Sequence, residues 1–212
     1  LIPHYIFRIY VLPGVFLHEL SHIVLCILSF HKIVEVSFFN TNGSDAMGYV
    51  THSYNPDNLY QRVGNVFIGI APAFAGVWVL FILFNYYDLL PEQKSLNFYS
   101  YYQHIIYKLI DMPILDTFIC VYLTSSIAAT MSPSKADYKG AIGGIIISLI
   151  LFFTANIFFS SFVSVHFLNI YELLTLFSSY AIQSLVISTL FSFVLFIPAF
   201  LFRYVTKKQI VT

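Results

Sequence analysis

The sequence predicts an all-α polytopic membrane protein with about five transmembrane helices and a small membrane-associated β-hairpin between the first and second. Three observations predict it. Of the 212 residues, 58% are hydrophobic and only 9% are charged, whereas ordinary soluble domains carry roughly a quarter charged residues. A chain this short has too much surface to hide so many apolar side chains from water, and lipid resolves the conflict by replacing water around the outer faces. The apolar residues also gather into runs near the ~20 residues that a helix needs to cross a bilayer, and the 16 Tyr suit the membrane interface.

The elements follow in chain order. The first candidate crossing covers residues 6–30 and holds its polar residues in one short cluster. Two β-prone stretches, 33–39 and 47–53, flank the turn residues around Asn42 and Gly43, the pattern of a hairpin. An open hairpin edge cannot face lipid, so it lies at the interface or against protein. The second crossing, 63–86, is rich in small residues at Gly64, Gly69, Ala71, Ala73, Ala75 and Gly76, which permit close helix approach. Residues 87–111 are the longest polar segment, and their stretch NFYSYYQHIIYK reads as an interfacial helix. A third crossing at 112–131 precedes SPSKADYKG, a fourth covers 141–160, and 161–178 extends it or connects onward. The last, 181–202, ends at Arg203, Lys207 and Lys208. The implied organisation is a core of three helices plus the hairpin 33–53 within 1–145, followed by C-terminal transmembrane helices in 146–212.

Orientation follows from lysine and arginine bias. With five crossings, Lys32, Arg62, Lys135, Lys139, Arg203, Lys207 and Lys208 share one side, against Arg8, Lys94 and Lys108 on the other. The richer side is assigned to the cytoplasm and the N-terminus to the outside. No signal peptide is predicted, because the run after Arg8 contains His18, Glu19 and His22 and lacks a clean cleavage site. A compact chain without a targeting segment fits a prokaryotic plasma membrane. Zero net charge, from 10 basic and 10 acidic residues, argues against nucleic acid as a partner. Cys26 and Cys120 lie in apolar runs and read as small hydrophobes, not as a disulfide or a thiolate metal site.

Chemistry concentrates in PGVFLHELSHIVLCILSF, residues 13–30. His18 and His22 are four apart, hence about 40° apart around a helix and one turn along it. Two imidazoles so placed can grip one metal ion. Glu19, beside the first, can take a proton from water without being a ligand, the arrangement of HExxH metalloproteases. Three ionisable groups in the apolar part of a membrane helix cost several kcal/mol if unpaired, so a functional use is the default reading; the alternative is a polar seam that hydrogen-bonds neighbouring helices. Catalytic zinc takes three protein ligands and keeps a position for water. Candidates for the third are Asp111, Asp116, Asp137, His52 and Glu172. Asp111 and Asp116 belong near the outer face, whereas Asp137 lies at the His22 end of the motif helix, beyond a break at Pro133 that lets the chain bend beneath the histidines. The alternative for Asp137 is a helix cap or a partner of Lys135 or Lys139.

Three segments together resemble the site-2-protease class of intramembrane zinc metalloproteases. HELSH at 18–22 resembles that family's first catalytic helix, GIAPAFAG at 69–76 its small-residue and proline motif, and MSPSKADYKG at 131–140 its proline-then-aspartate segment. The resemblance covers residues 10–145. It implies one Zn2+ per chain held by His18, His22 and Asp137, with Glu19 as general base. It also implies an active site open to the cytoplasm and a substrate that is a transmembrane or membrane-associated protein, bound by the hairpin. Ala75, Tyr138 and Thr130 stand where the family usually has asparagine, glycine and asparagine, so the resemblance identifies no oxyanion donor. No regulatory domain accompanies the core, which leaves regulation to a membrane partner. Rival readings are an inactive scaffold, a metal transporter and a metal-dependent hydrolase of non-peptide substrates; Glu19 speaks against the first, since a purely structural zinc site needs no base.

Overall fold

The computed structural model describes residues 4–39, 47–90 and 98–151, with isolated positions at 154, 182, 183 and 186. The elements are α1 (His4–Leu28), β1 (Lys32–Ser37), β2 (Tyr49–Ser53), α2 (Leu59–Tyr86), α3 (Phe98–Asp111) and α4 (Ile114–Thr130), followed by α5 (Lys135–Leu151).

The expected five crossings do not hold. Among the described residues two helices are long and apolar enough to cross a bilayer, Arg8–Leu28 within α1 and all of α2, and the bent pair α4–α5 adds a third if it counts as one. Apolar run length alone makes 112–131 and 141–160 separate crossings joined by a loop. Instead α4 and α5 meet at 59° across the break at 131–134, and α4, with 17 residues, is about 26 Å long at ~1.5 Å per residue and does not span a hydrocarbon layer of about 30 Å alone. Pro133 and its flanking serines stop the helix without reversing the chain. The orientation drawn from charge bias rested on five crossings and falls with that count. The proposed crossing at 181–202, the segment 161–178 and the turn around Asn42 and Gly43 lie outside the described residues.

α1 packs against both α2 and α4. Tyr122 Oη donates to Ile9 O at 2.7 Å, Ser126 Oγ accepts from Gly14 N at 3.0 Å, and His18 reaches Thr130 O, so α1 and α4 run parallel. The first contact has a covalent cause. Pro13 lies inside α1 and has no N–H to offer the Ile9 carbonyl four residues back, and α4 satisfies that carbonyl from outside. α2 runs opposite to both: a Cβ on Gly76 would sit 2.6 Å from Met131 Cβ, and one on Gly69 would sit 2.8 Å from Asp137 O. The small residues of α2 thus let the α4–α5 break lie against the middle of that helix.

The two ends of the bundle differ. Leu80 and Phe84 of α2 are fully buried with Leu89, Ile105 of α3 and Cys120 and Ile127 of α4 in one apolar core. At the other end polar capping joins elements. Asn58 caps α2 by accepting from Tyr60 N and Gln61 N, while Tyr60 Oη and Gln61 Nε2 donate to the terminal carbonyls Leu28 O and Phe30 O, at 2.9 and 2.8 Å. The first turn of α2 therefore satisfies carbonyls that α1 leaves unpaired. The hairpin is antiparallel and pairs Ile33 with His52 and Glu35 with Thr51, leaving Val34 as a bulge. Its place between α1 and α2 is as the two β-prone runs indicate.

Exposed apolar side chains line the outer faces of the long helices, including Ile9, Phe16, Val24, Phe67, Phe74 and Trp78. In water such faces would drive aggregation; in a bilayer they meet lipid. Together with the two membrane-length helices they make this a membrane-associated chain.

Candidate metal centre

His18, His22 and Asp137 come together from α1 and the first turn of α5, with their donor atoms within 4.8 Å of one another. His18 Nε2 lies 3.2 Å from His22 Nε2. The Asp137 carboxylate places Oδ1 3.3 Å from His22 Nε2 and Oδ2 3.8 Å from His18 Nε2. A tetrahedral ion bound at about 2.0–2.1 Å would hold adjacent donors about 3.3–3.4 Å apart, close to these separations.

What orients the rings is the backbone of the neighbouring helices. His22 Nδ1 donates to Ile68 O at 2.9 Å. That carbonyl has no helical partner, because the residue four places on is Pro72, which lies inside α2 and lacks an N–H. His18 Nδ1 donates to Thr130 O at 2.7 Å, a carbonyl at the C-terminus of α4, where the helix supplies no donor. A carbonyl can only accept, so each Nδ1 carries the proton and each Nε2 presents a lone pair. Two imidazole lone pairs and a carboxylate then converge with no proton between them. Such a donor set repels itself and fits a cation. Carbonyl partners behind metal-binding histidines are the usual second shell, fixing tautomer and ring direction.

Asp137 is positioned by a capping box. Ser134 N donates to Asp137 Oδ2 at 2.6 Å, and Asp137 N donates to Ser134 Oγ at 3.2 Å. The serine and the aspartate three residues on satisfy each other's backbone N–H at the start of α5. The helix-cap alternative for Asp137 and its place beside the histidines are therefore compatible, since one oxygen caps while the other faces His22.

Glu19 is 6% exposed and lies under the hairpin. A Cβ on Gly48 would come within 2.8 Å of Glu19 Cγ and Oε1, so only glycine lets the strand approach this closely. The His18 and Asp137 side chains keep 12% and 15% of their surface exposed, which leaves the donor cluster reachable by water.

The other candidates for the third position lie elsewhere. Asp116 is in the first turn of α4 and Asp111 ends α3, both at the far end from Thr130. Glu172 is outside the described residues. His52 belongs to a different group, with Cys26 and His31, which the sequence reading did not find. Burial first, and then the neighbouring His31 ring, hold the His52 imidazole below its ordinary pKa.

No family model matches the chain, and no curated protein or solved structure matches it either. The site-2-protease identity drawn from the three motifs has no support from these comparisons, and the crossing count is below what it implied. A membrane-associated chain with two clusters able to hold a metal ion stands on the geometry alone.

Proposed function

We propose that the protein is a zinc-dependent hydrolase that cuts peptide bonds of membrane-embedded or membrane-associated proteins, with His18, His22 and Asp137 as ligands and Glu19 as general base. The observation that carries this reading is the convergence of two Nε2 lone pairs and a carboxylate, each oriented by backbone, next to a buried glutamate. A bound zinc ion would polarise the scissile carbonyl and bring the pKa of water to about 7. Glu19 takes the proton of the attacking water and passes it to the leaving nitrogen. It sits one residue from His18 on the helix.

The hairpin supports a peptide as substrate. A substrate helix hides its peptide bonds in its own hydrogen bonds, so cleavage requires an extended segment. β2 carries Gly48 at its entrance against Glu19, and its outer edge, which has no partner strand among the described residues, can hold an extended chain by backbone hydrogen bonds. Selection would then depend on how readily a segment unwinds more than on its side chains.

The test compares membranes of cells producing the wild type with those producing Glu19→Gln. A small single-pass protein should accumulate only with the variant. Purified wild-type enzyme should cleave that protein faster by about 10²–10⁴, the range for a lost general base, at equal zinc content. Equal cleavage by the two forms would remove Glu19 from the reaction and the proposal with it.

A further inference from the structure

Beyond that site, we propose that Cys26, His31 and His52 form a second metal site, one that takes zinc through a thiolate and two imidazoles and clamps the hairpin onto the end of α1. The donor atoms of the three residues lie within 4.8 Å of one another, and Cys26 and His31 are buried at 0% and 6% exposure. His31 Nδ1 and His52 Nδ1 are 3.0 Å apart. A tetrahedral set with sulfur at about 2.3 Å and nitrogen at about 2.0–2.1 Å needs separations of about 3.3–3.6 Å. The widest pair therefore closes by no more than about 1.5 Å, within reach of side-chain rotation.

The His31 ring is fixed as a ligand ring is expected to be. Its Nε2 donates to Gln61 O at 2.9 Å, which places the proton on Nε2 and leaves Nδ1 with a lone pair towards His52. Tyr54 stacks on the same ring, with centroids 5.1 Å apart and planes 13° from parallel. The approach of His31 to Cys26 comes from the end of α1, where His31 N donates back to Cys26 O at 2.9 Å. That closure puts Phe30 at a φ of 56°, a left-handed conformation costly for a residue with a side chain. His52 arrives from β2, so the three donors tie together the last turn of α1, the connection after it and the hairpin.

The donor set differs in kind from the first. It has sulfur and no carboxylate, which favours thiophilic ions such as zinc over magnesium, calcium or manganese. Loading releases the Cys26 thiol proton to solvent, while the proton between the two rings moves to the other nitrogen of the His52 ring, so that each imidazole binds neutral. Because β2 also carries the strand entrance over Glu19, an ion here would fix the hairpin in place above the first cluster.

Cobalt distinguishes the two sites, since only a thiolate ligand gives sulfur-to-metal charge-transfer absorption in the near ultraviolet. The purified full-length chain, freed of metal and titrated with Co2+, should take two equivalents and show that band. Cys26→Ser and His52→Gln should each lose the band and one equivalent. His22→Ala should keep the band and lose the other equivalent, and Cys120→Ser should keep both. If the buried Cys26→Ser chain does not fold, His52→Gln on the half-buried hairpin carries the test. Absence of the band in the wild type, or its persistence at full intensity in His52→Gln, would overturn the second site.

Discussion

The two three-donor clusters both draw on α1 and are completed by different elements. His18 and His22 are rungs of a regular α1, and their rings are aimed by carbonyls of the helices packed beside it, Thr130 O and Ile68 O. Cys26 and His31 straddle the place where α1 ends, and the His31 ring is aimed by Gln61 O and by stacking on Tyr54. The first cluster draws its third donor from a helix start, Asp137 in a capping box with Ser134. The second draws it from a strand, His52 opposite Ile33. A hard carboxylate, open to water, suits catalysis; a thiolate among buried rings suits a clamp. The difference teaches that a neighbouring backbone carbonyl aims the ring in both clusters, and that at the helix end a stacked side chain, Tyr54, shares the task.

The largest expected effect separates the clusters outright. Asp137→Asn removes the charge that offsets the ion and should weaken zinc at the first cluster by more than about 100-fold, the upper end for losing a mere second-shell partner. Asp116→Asn should leave metal content unchanged. Zinc competition assays on both variants would break the comparison if Asp137→Asn emptied the second cluster as well, because the two would then be one unit.

Pro72→Ala sharpens it. Alanine restores an N–H that claims the Ile68 carbonyl, and interior alanine favours helix by up to about 3 kcal/mol over proline. His22 loses its acceptor, so the first cluster should bind zinc about 10–100-fold more weakly in a helix that is itself no less stable. An unchanged affinity would mean that packing, not the freed carbonyl, aims His22.

The smallest effect falls on the other side. Asn58→Ala removes the acceptor for Tyr60 N and Gln61 N and should cost about 1 kcal/mol, as lost N-caps do. Gln61 is the residue whose carbonyl holds His31. Denaturant titration in detergent should register the loss while zinc affinity at the first cluster stays level; a shift there instead would show that the α2 start serves both clusters.

What was legible in the sequence was local. His18, Glu19 and His22 share one turn, and their proximity needs nothing but helical periodicity. The hairpin announced itself by two β-prone runs about turn residues. Asp137 was within reach because Pro133 marked a break, although the capping box that aims it was not read. Two things were hidden. Apolar run length cannot tell two crossings from two halves of one bent pair, since the depth of the break is set by where Gly69 and Gly76 receive it. The second cluster depends on the register that lays His52 against the end of α1, a pairing of residues 21 and 26 positions apart that no periodicity encodes.

The carbonyls that aim His18 and His22 have a consequence for how such a site is inherited. Every residue type contributes a carbonyl, so exchanges at Ile68 or Thr130 leave the acceptors standing, and what limits those side chains is packing, since Ile68 is buried and Thr130 lies against Gly14. Heritable precision resides instead in where α2 and the α4–α5 pair are interrupted, at Pro72 and at residues 131–134. A saturation scan read by zinc binding would find limits of size at Ile68 and Thr130 and limits of chemistry at the two breaks.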